Sequence, residues 1–106
     1  MRRLKTRHEY HDAEVRDVSF GPADCVVFEV ELCGCSDSPG QWVHLSFHGI
    51  KNIGEVRNFI HTLLGRAKGR PRIAEIVGIA RDPDRRFLLD LNQGPLYINA
   101  KSYTET

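Results

Sequence analysis

Between Cys25 and Leu32 the apolar side chains fall on every second position. Val26, Phe28, Val30 and Leu32 share one face, while Val27, Glu29 and Glu31 share the other. A period of two is that of a strand half-buried in a sheet. The alternation returns from Trp42 to His48, with Val43, Leu45 and Phe47 facing one way and Trp42, His44, Ser46 and His48 the other. Ahead of both, Val15 to Phe20 is also extended, but Val15 and Val18 fall on opposite faces unless a β-bulge intervenes. Gly21-Pro22-Ala23-Asp24 supplies the turn of a hairpin between the first two strands.

The period then changes. Ile53, Val56, Ile60, Leu63 and Leu64 recur at helical spacing, with Phe59 at the edge of the stripe. Asn52 and Glu55 have the spacing of a capping box, and Gly65 suits the C-terminal end of a helix of about three turns. Beyond a basic connector, Ile73 to Ala80 is apolar on both faces, which predicts a strand covered on both sides. Asp82-Pro83-Asp84 turns the chain into a strand at Phe87 to Leu91, and Asn92-Gln93-Gly94-Pro95 turns it into a last strand at Leu96 to Lys101.

The expectation is an α+β fold, a mostly antiparallel six-stranded sheet in βββ-α-βββ order with one amphipathic helix. Short turns favour a meander within each triplet, because parallel pairing needs long crossovers. The 106 residues, 41% of them hydrophobic and 27% charged, suit one domain over 1–106. Residues 1–7, basic through Arg2, Arg3, Lys5 and Arg7, are a candidate for disorder. One helix does not readily cover both faces of a six-stranded sheet, and the doubly apolar Ile73 to Ala80 therefore points to a homodimer.

No run approaches the roughly 18 apolar residues of a membrane-spanning helix, and no apolar stretch follows the basic start, so the chain is read as cytoplasmic with no membrane partner. Cys25, Cys33 and Cys35 are odd in number and at no zinc spacing, which fits free thiols in a reducing compartment. The net charge of +1 is unevenly spread. From His8 to Asp37, eight acidic side chains stand against the single Arg16, whereas Arg66, Lys68, Arg70 and Arg72 form a basic run after the helix.

Candidate chemistry is sparse. His44 and His48 would chelate a metal from a helix, but on a strand they stand roughly 13 Å apart. His8, His11 and Asp12 lack the further ligands of a closed site, and Cys33-Gly34-Cys35 lacks a second pair. No serine sits in a nucleophile elbow and no glycine run cradles phosphate. The reading is no catalytic residue, no metal and no cofactor. The basic run is read as a solvated connector: it could touch phosphates, but no aromatic residues interleave with it, so nucleic acid is not the expected partner. Trp42 is assigned to the edge of the core.

The run His11-Asp12-Ala13-Glu14-Val15 leading into a strand, then Phe28-Glu29-Val30-Glu31-Leu32, and later Val43-His44-Leu45-Ser46-Phe47 before a short helix, resembles small bacterial immunity proteins of polymorphic toxin systems. The resemblance implies a non-enzymatic, partner-binding protein. From the residues themselves, the expected function is that of a non-catalytic interaction module. Its acidic hairpin face, through Asp17, Glu29 and Glu31, would receive a basic protein partner. The alternative is a small enzyme or ligand-binding domain with a pocket near His11, Asp12 and His44.

Overall fold

The structure, a computed structural model, describes residues 2–32, 41–70, 72–84 and 86–106, with only the backbone of residues 2 and 3. Cys33, Cys35 and the loop at 34–40 lie outside these residues.

The strands are β1 (Arg2–Arg3), β2 (Glu14–Gly21), β3 (Cys25–Glu31), β4 (Trp42–His48), β5 (Ala74–Arg81), β6 (Arg86–Leu91), β7 (Gly94–Asn99) and β8 (Ser102–Glu105), with one helix, α1 (Ile53–Arg66), between β4 and β5. All the pairings are antiparallel. The fold is thus α+β with an antiparallel sheet, but the order is four strands, helix, four strands, which corrects the expected six-stranded βββ-α-βββ. The additions are the two-residue β1 on β5 and a C-terminal β8, separate from the strand that ends at Asn99.

Strand order is β7-β6-β5-β2-β3-β4-β8, so consecutive β2-β3-β4 and β5-β6-β7 form two meanders. β7 and β8 occupy opposite ends of this path, yet only Ala100 and Lys101 separate them in sequence. Seven flat strands would hold their outer members about 29 Å apart. Three virtual bonds from Asn99 to Ser102 span at most about 11 Å. The sheet must therefore curl until its ends meet. Two bonds mark that closure, Lys101 N–H to the His48 carbonyl at 2.9 Å and Lys51 N–H to the Asn99 carbonyl at 2.8 Å. Inside, Phe47 meets Phe87 at 5.3 Å between ring centroids and Phe28 at 6.0 Å, and Tyr103 joins Phe87 at 5.4 Å.

Curling also removes the reason for a dimer. In β5 only Ala74, Ile76 and Ile79 are buried, and Val77 is 46% exposed. Pairing steps from Ile76 opposite Leu91 to Gly78 opposite Asp90, so Val77 is the extra residue of a bulge that turns it outward. The expectation of two covered faces at Ile73 to Ala80 is corrected: a single face is buried, and the curled sheet covers it. A bulge also settles the mismatch in β2. Arg16 is extra between the Val15–Val30 and Asp17–Glu29 pairs, and both Val15 and Val18 are buried.

Along α1, Val56, Ile60 and Leu63 are buried, while Leu64 is 40% exposed. The helix runs through Gly65 to Arg66, so Gly65 does not end it; the chain turns instead at Gly69, whose φ of +80° favours glycine. The capping box is corrected as well. Asn52 makes no side-chain cap bond. Its Oδ1 accepts from Asn99 N–H at 2.9 Å and its Nδ2 donates to the Tyr97 carbonyl at 2.9 Å, which fastens the start of the helix to β7.

The N-terminal segment follows β5. β1 pairs with Ala80 and Arg81, Leu4 N–H donates to the Ile79 carbonyl and Asp12 N–H to that of Ile76, and β2 then pairs with Ala74 and Glu75. Between Leu4 and Asp12 the chain leaves this edge and inserts Tyr10 into the core.

Candidate functional site

The outer face of β2, β3 and β4 carries the three carboxylates singled out in the sequence. Register sets Asp17 opposite Glu29, and Glu29 in turn opposite His44 on β4. Glu31 lies two residues along from Glu29, opposite Trp42 on one side and Glu14 on the other. Trp42 is 50% exposed, which corrects its assignment to the core edge: at the first position of β4 its side chain points away from Val43, Leu45 and Phe47, which fill the interior.

Part of the negative charge is met locally. Arg16, aimed across the bulge, donates to Glu31 Oε1 from Nε at 3.1 Å and from Nη2 at 2.7 Å, and it also pairs with Glu14. Glu29 has the His44 ring 3.8 Å away, an ion pair only when the imidazole is protonated. Asp17 is exposed on the same face. Such surface pairs contribute little to stability, but they set which charges a partner meets.

The histidines engage separate neighbours. His11 Nδ1 lies 3.0 Å from the Val77 carbonyl and its Nε2 3.6 Å from Asp12. His8 meets the Tyr10 ring edge-on, and His48 bridges Cys25 Sγ at 3.6 Å and Thr104 Oγ1 at 3.0 Å. Among the described residues no three His, Cys, Asp or Glu side chains are placed to hold one ion. Of the three residues His11, Asp12 and His44, the first two lie against the β5 edge and His44 faces Glu29.

Two features escaped the sequence. The first is a buried acid pair. Glu105, 9% exposed at the end of β8, accepts from the Tyr10 hydroxyl at 2.6 Å and from Arg7 N–H at 3.0 and 3.2 Å. Burial first, and then the bond to Glu105, push the Tyr10 phenol well above its ordinary value. Burial and the Glu105 charge push Tyr103 the same way. A lone glutamate near a chain end carries no local signal for burial, because its partners lie 95 and 98 residues away.

The second is the destination of the basic run. Arg66, Arg70 and Arg72 do not simply line a solvated loop: together with Arg16 they surround a cavity of about 400 Å³ between the end of α1 and the starts of β2 and β5. Only the isolated position of Arg16 inside an acidic stretch hinted at a structural role for it.

No described helix is long and apolar enough to cross a membrane. Comparison of the chain with family models, with curated proteins and with solved structures finds no match.

Proposed function

We propose that this chain is a non-catalytic interaction module, of the immunity-like kind that its sequence pattern suggests, and that it receives a basic protein partner on the outer face of β2, β3 and β4. One observation carries the reading: the strand register gathers Asp17, Glu29 and Glu31 beside the half-exposed Trp42. A tryptophan brings a large contact area at low entropic cost, and it is the residue type most enriched among interface anchors. The carboxylates around it attract a cationic surface and raise the rate of encounter. Arg16 already occupies Glu31, so Asp17 and Glu29 supply most of the attraction. The same reading puts the protein in the cytoplasm, where Cys25 stays a thiol.

The test compares Asp17→Asn/Glu29→Gln/Glu31→Gln with the native chain, using the protein that a tagged native chain recovers from its source cell. The proposal expects the triple variant to keep its fold, to associate more slowly and to lose most of the salt dependence of association. Equal association rates at low salt, in a correctly folded variant, would remove this face from the account.

A further inference from the structure

The arginines of the basic run and Arg16 come from positions about fifty residues apart in sequence and meet at one cavity, where four guanidinium groups stand against the single carboxylate of Glu14. They fall into two kinds. Arg16 and Arg72 are tied down, Arg16 by Glu14 and Glu31, Arg72 by Glu75 and, at 3.4 Å, by Glu14. Arg66 and Arg70 enter no ion pair among the described residues. Carboxylates thus hold one half of the arginine set as a fixed wall, and the other half keeps its forked donors unspent.

Like charges brought together in this way repel unless an anion joins them. A guanidinium offers parallel N–H donors that match two oxygens of a phosphate or carboxylate. Several arginines arranged around one space exceed what a two-oxygen carboxylate can satisfy, and suit the three terminal oxygens of a phosphate. The volume, about 400 Å³, falls in the range of small-ligand pockets.

A second cavity, of about 600 Å³, runs along α1 to the β6–β7 turn and adjoins the first, with Arg66 and Gln93 common to both linings. Its character differs. Phe59, Leu63 and Pro95 give it apolar surface, with Asn58 and Thr62 at hand for hydrogen bonds and the Glu55 carboxylate, about three turns along α1 from Arg66, at its far end. A site that is cationic at one end and apolar with a few polar groups at the other suits a phosphate attached to a flat, weakly polar ring.

We infer that the two cavities form one binding site for a small organic phosphate of nucleotide size, with the phosphate between Arg66 and Arg70 and the ring against Phe59 and Pro95. The site touches the Trp42 face through Arg16, which pairs with Glu31, but Arg66 and Arg70 belong to the cavity alone, so their variants test it apart from the partner face.

The experiment is calorimetric titration at physiological salt with ADP, inorganic pyrophosphate, adenosine and a single-stranded RNA oligonucleotide. It is run on the native chain, on Arg66→Ala/Arg70→Ala and on Arg66→Lys/Arg70→Lys. Both arginines are exposed, so the variants should fold, which circular dichroism and Trp42 fluorescence verify. The inference expects ADP to bind best, pyrophosphate more weakly and adenosine not measurably. The alanine pair should weaken ADP by about 100-fold, and the lysine pair, which keeps the charge without the fork, by about tenfold. Three outcomes would overturn it: no heat with ADP or pyrophosphate at millimolar concentration, ADP affinity unchanged in the alanine pair, or RNA affinity that exceeds that of ADP and grows with length. The last would mark a track for a polyanion in place of a small-molecule site.

Discussion

Tyr10→Phe removes one oxygen and tests how the N-terminal excursion is fastened to the end of the chain. In the native protein the Tyr10 hydroxyl, on a side chain only 3% exposed, donates to Glu105 at 2.6 Å. A hydrogen bond to a charged acceptor contributes about 1.5–3 kcal/mol, and the carboxylate keeps only its bonds from Arg7 N–H once the hydroxyl is gone. The expected loss at neutral pH is about 2 kcal/mol, or roughly 10 °C in Tm for a domain of this size. Alkaline pH gives a second readout. The native state holds the Tyr10 proton well above the ordinary phenol range, whereas the unfolded chain releases it near pH 10. The native state then binds more protons than the unfolded one, so stability is full below about pH 10 and falls as pH rises beyond it. Tyr103 adds a smaller slope of the same sign. Urea unfolding followed by circular dichroism, at neutral pH and in steps through about pH 9 to 11, should show Tyr10→Phe less stable at pH 7 and less steeply destabilised by base. Equal stability at neutral pH together with an equal alkaline slope would refute the buried pair.

Asn52→Ala should cost about 1–3 kcal/mol, through loss of the bonds to Asn99 and Tyr97 and not through loss of a helix cap. Amide exchange should then rise at Asn99 as well as at the start of α1; a rise confined to the first helical turn would restore the capping role. Asp82 is held below the ordinary carboxylate range, first by the Arg86 backbone N–H and further by the Arg86 side chain and Asp84 N–H. Its contribution is therefore present above about pH 4 and lost as pH falls through the lowered value, so Asp82→Asn should flatten the acid limb of a stability–pH profile. An unchanged acid limb would assign that limb to other carboxylates. Sedimentation should give a monomer across the micromolar range, because the curled sheet covers its own apolar face; a dimer would show that Val77 and its exposed neighbours are an interface.

What could be read from the sequence was local and periodic. The buried faces of β3 and β4 follow from alternation, and the bulge in β2 from the phase conflict between Val15 and Val18. The same logic failed in β5, where Val77 looked apolar enough to be inside but is the extra residue of a bulge. It failed again in β8, since Ser102-Tyr103-Thr104-Glu105 has no strand-like apolar face and its buried end is a carboxylate satisfied by the far end of the chain. Asn52 shows a local motif overridden by tertiary structure: Asn99 and Tyr97, which lie beside it only after the sheet closes, bind its side chain in place of the helix N–H groups. The arginine cavity is tertiary too, because Arg16 and Arg70 line one space only in the folded chain. Asp17, Glu29 and Glu31 were legible as a face because β2 and β3 are joined by a short turn; Trp42 was misplaced because its large apolar side chain was weighed above the alternation, which sets it with His44 and opposite Val43, Leu45 and Phe47.

The most direct test of the partner face uses Trp42, the only tryptophan of the chain. Half-exposed in the free protein, it should emit at long wavelength and be readily quenched by acrylamide. On titration with the basic partner recovered from the source cell, in a form whose own tryptophans are silent or replaced, the account predicts a blue shift and a fall in quenching, both lost in the Asp17→Asn/Glu29→Gln/Glu31→Gln variant at partner concentrations that saturate the native chain. Saturating association that leaves the Trp42 emission and quenching unchanged would contradict it.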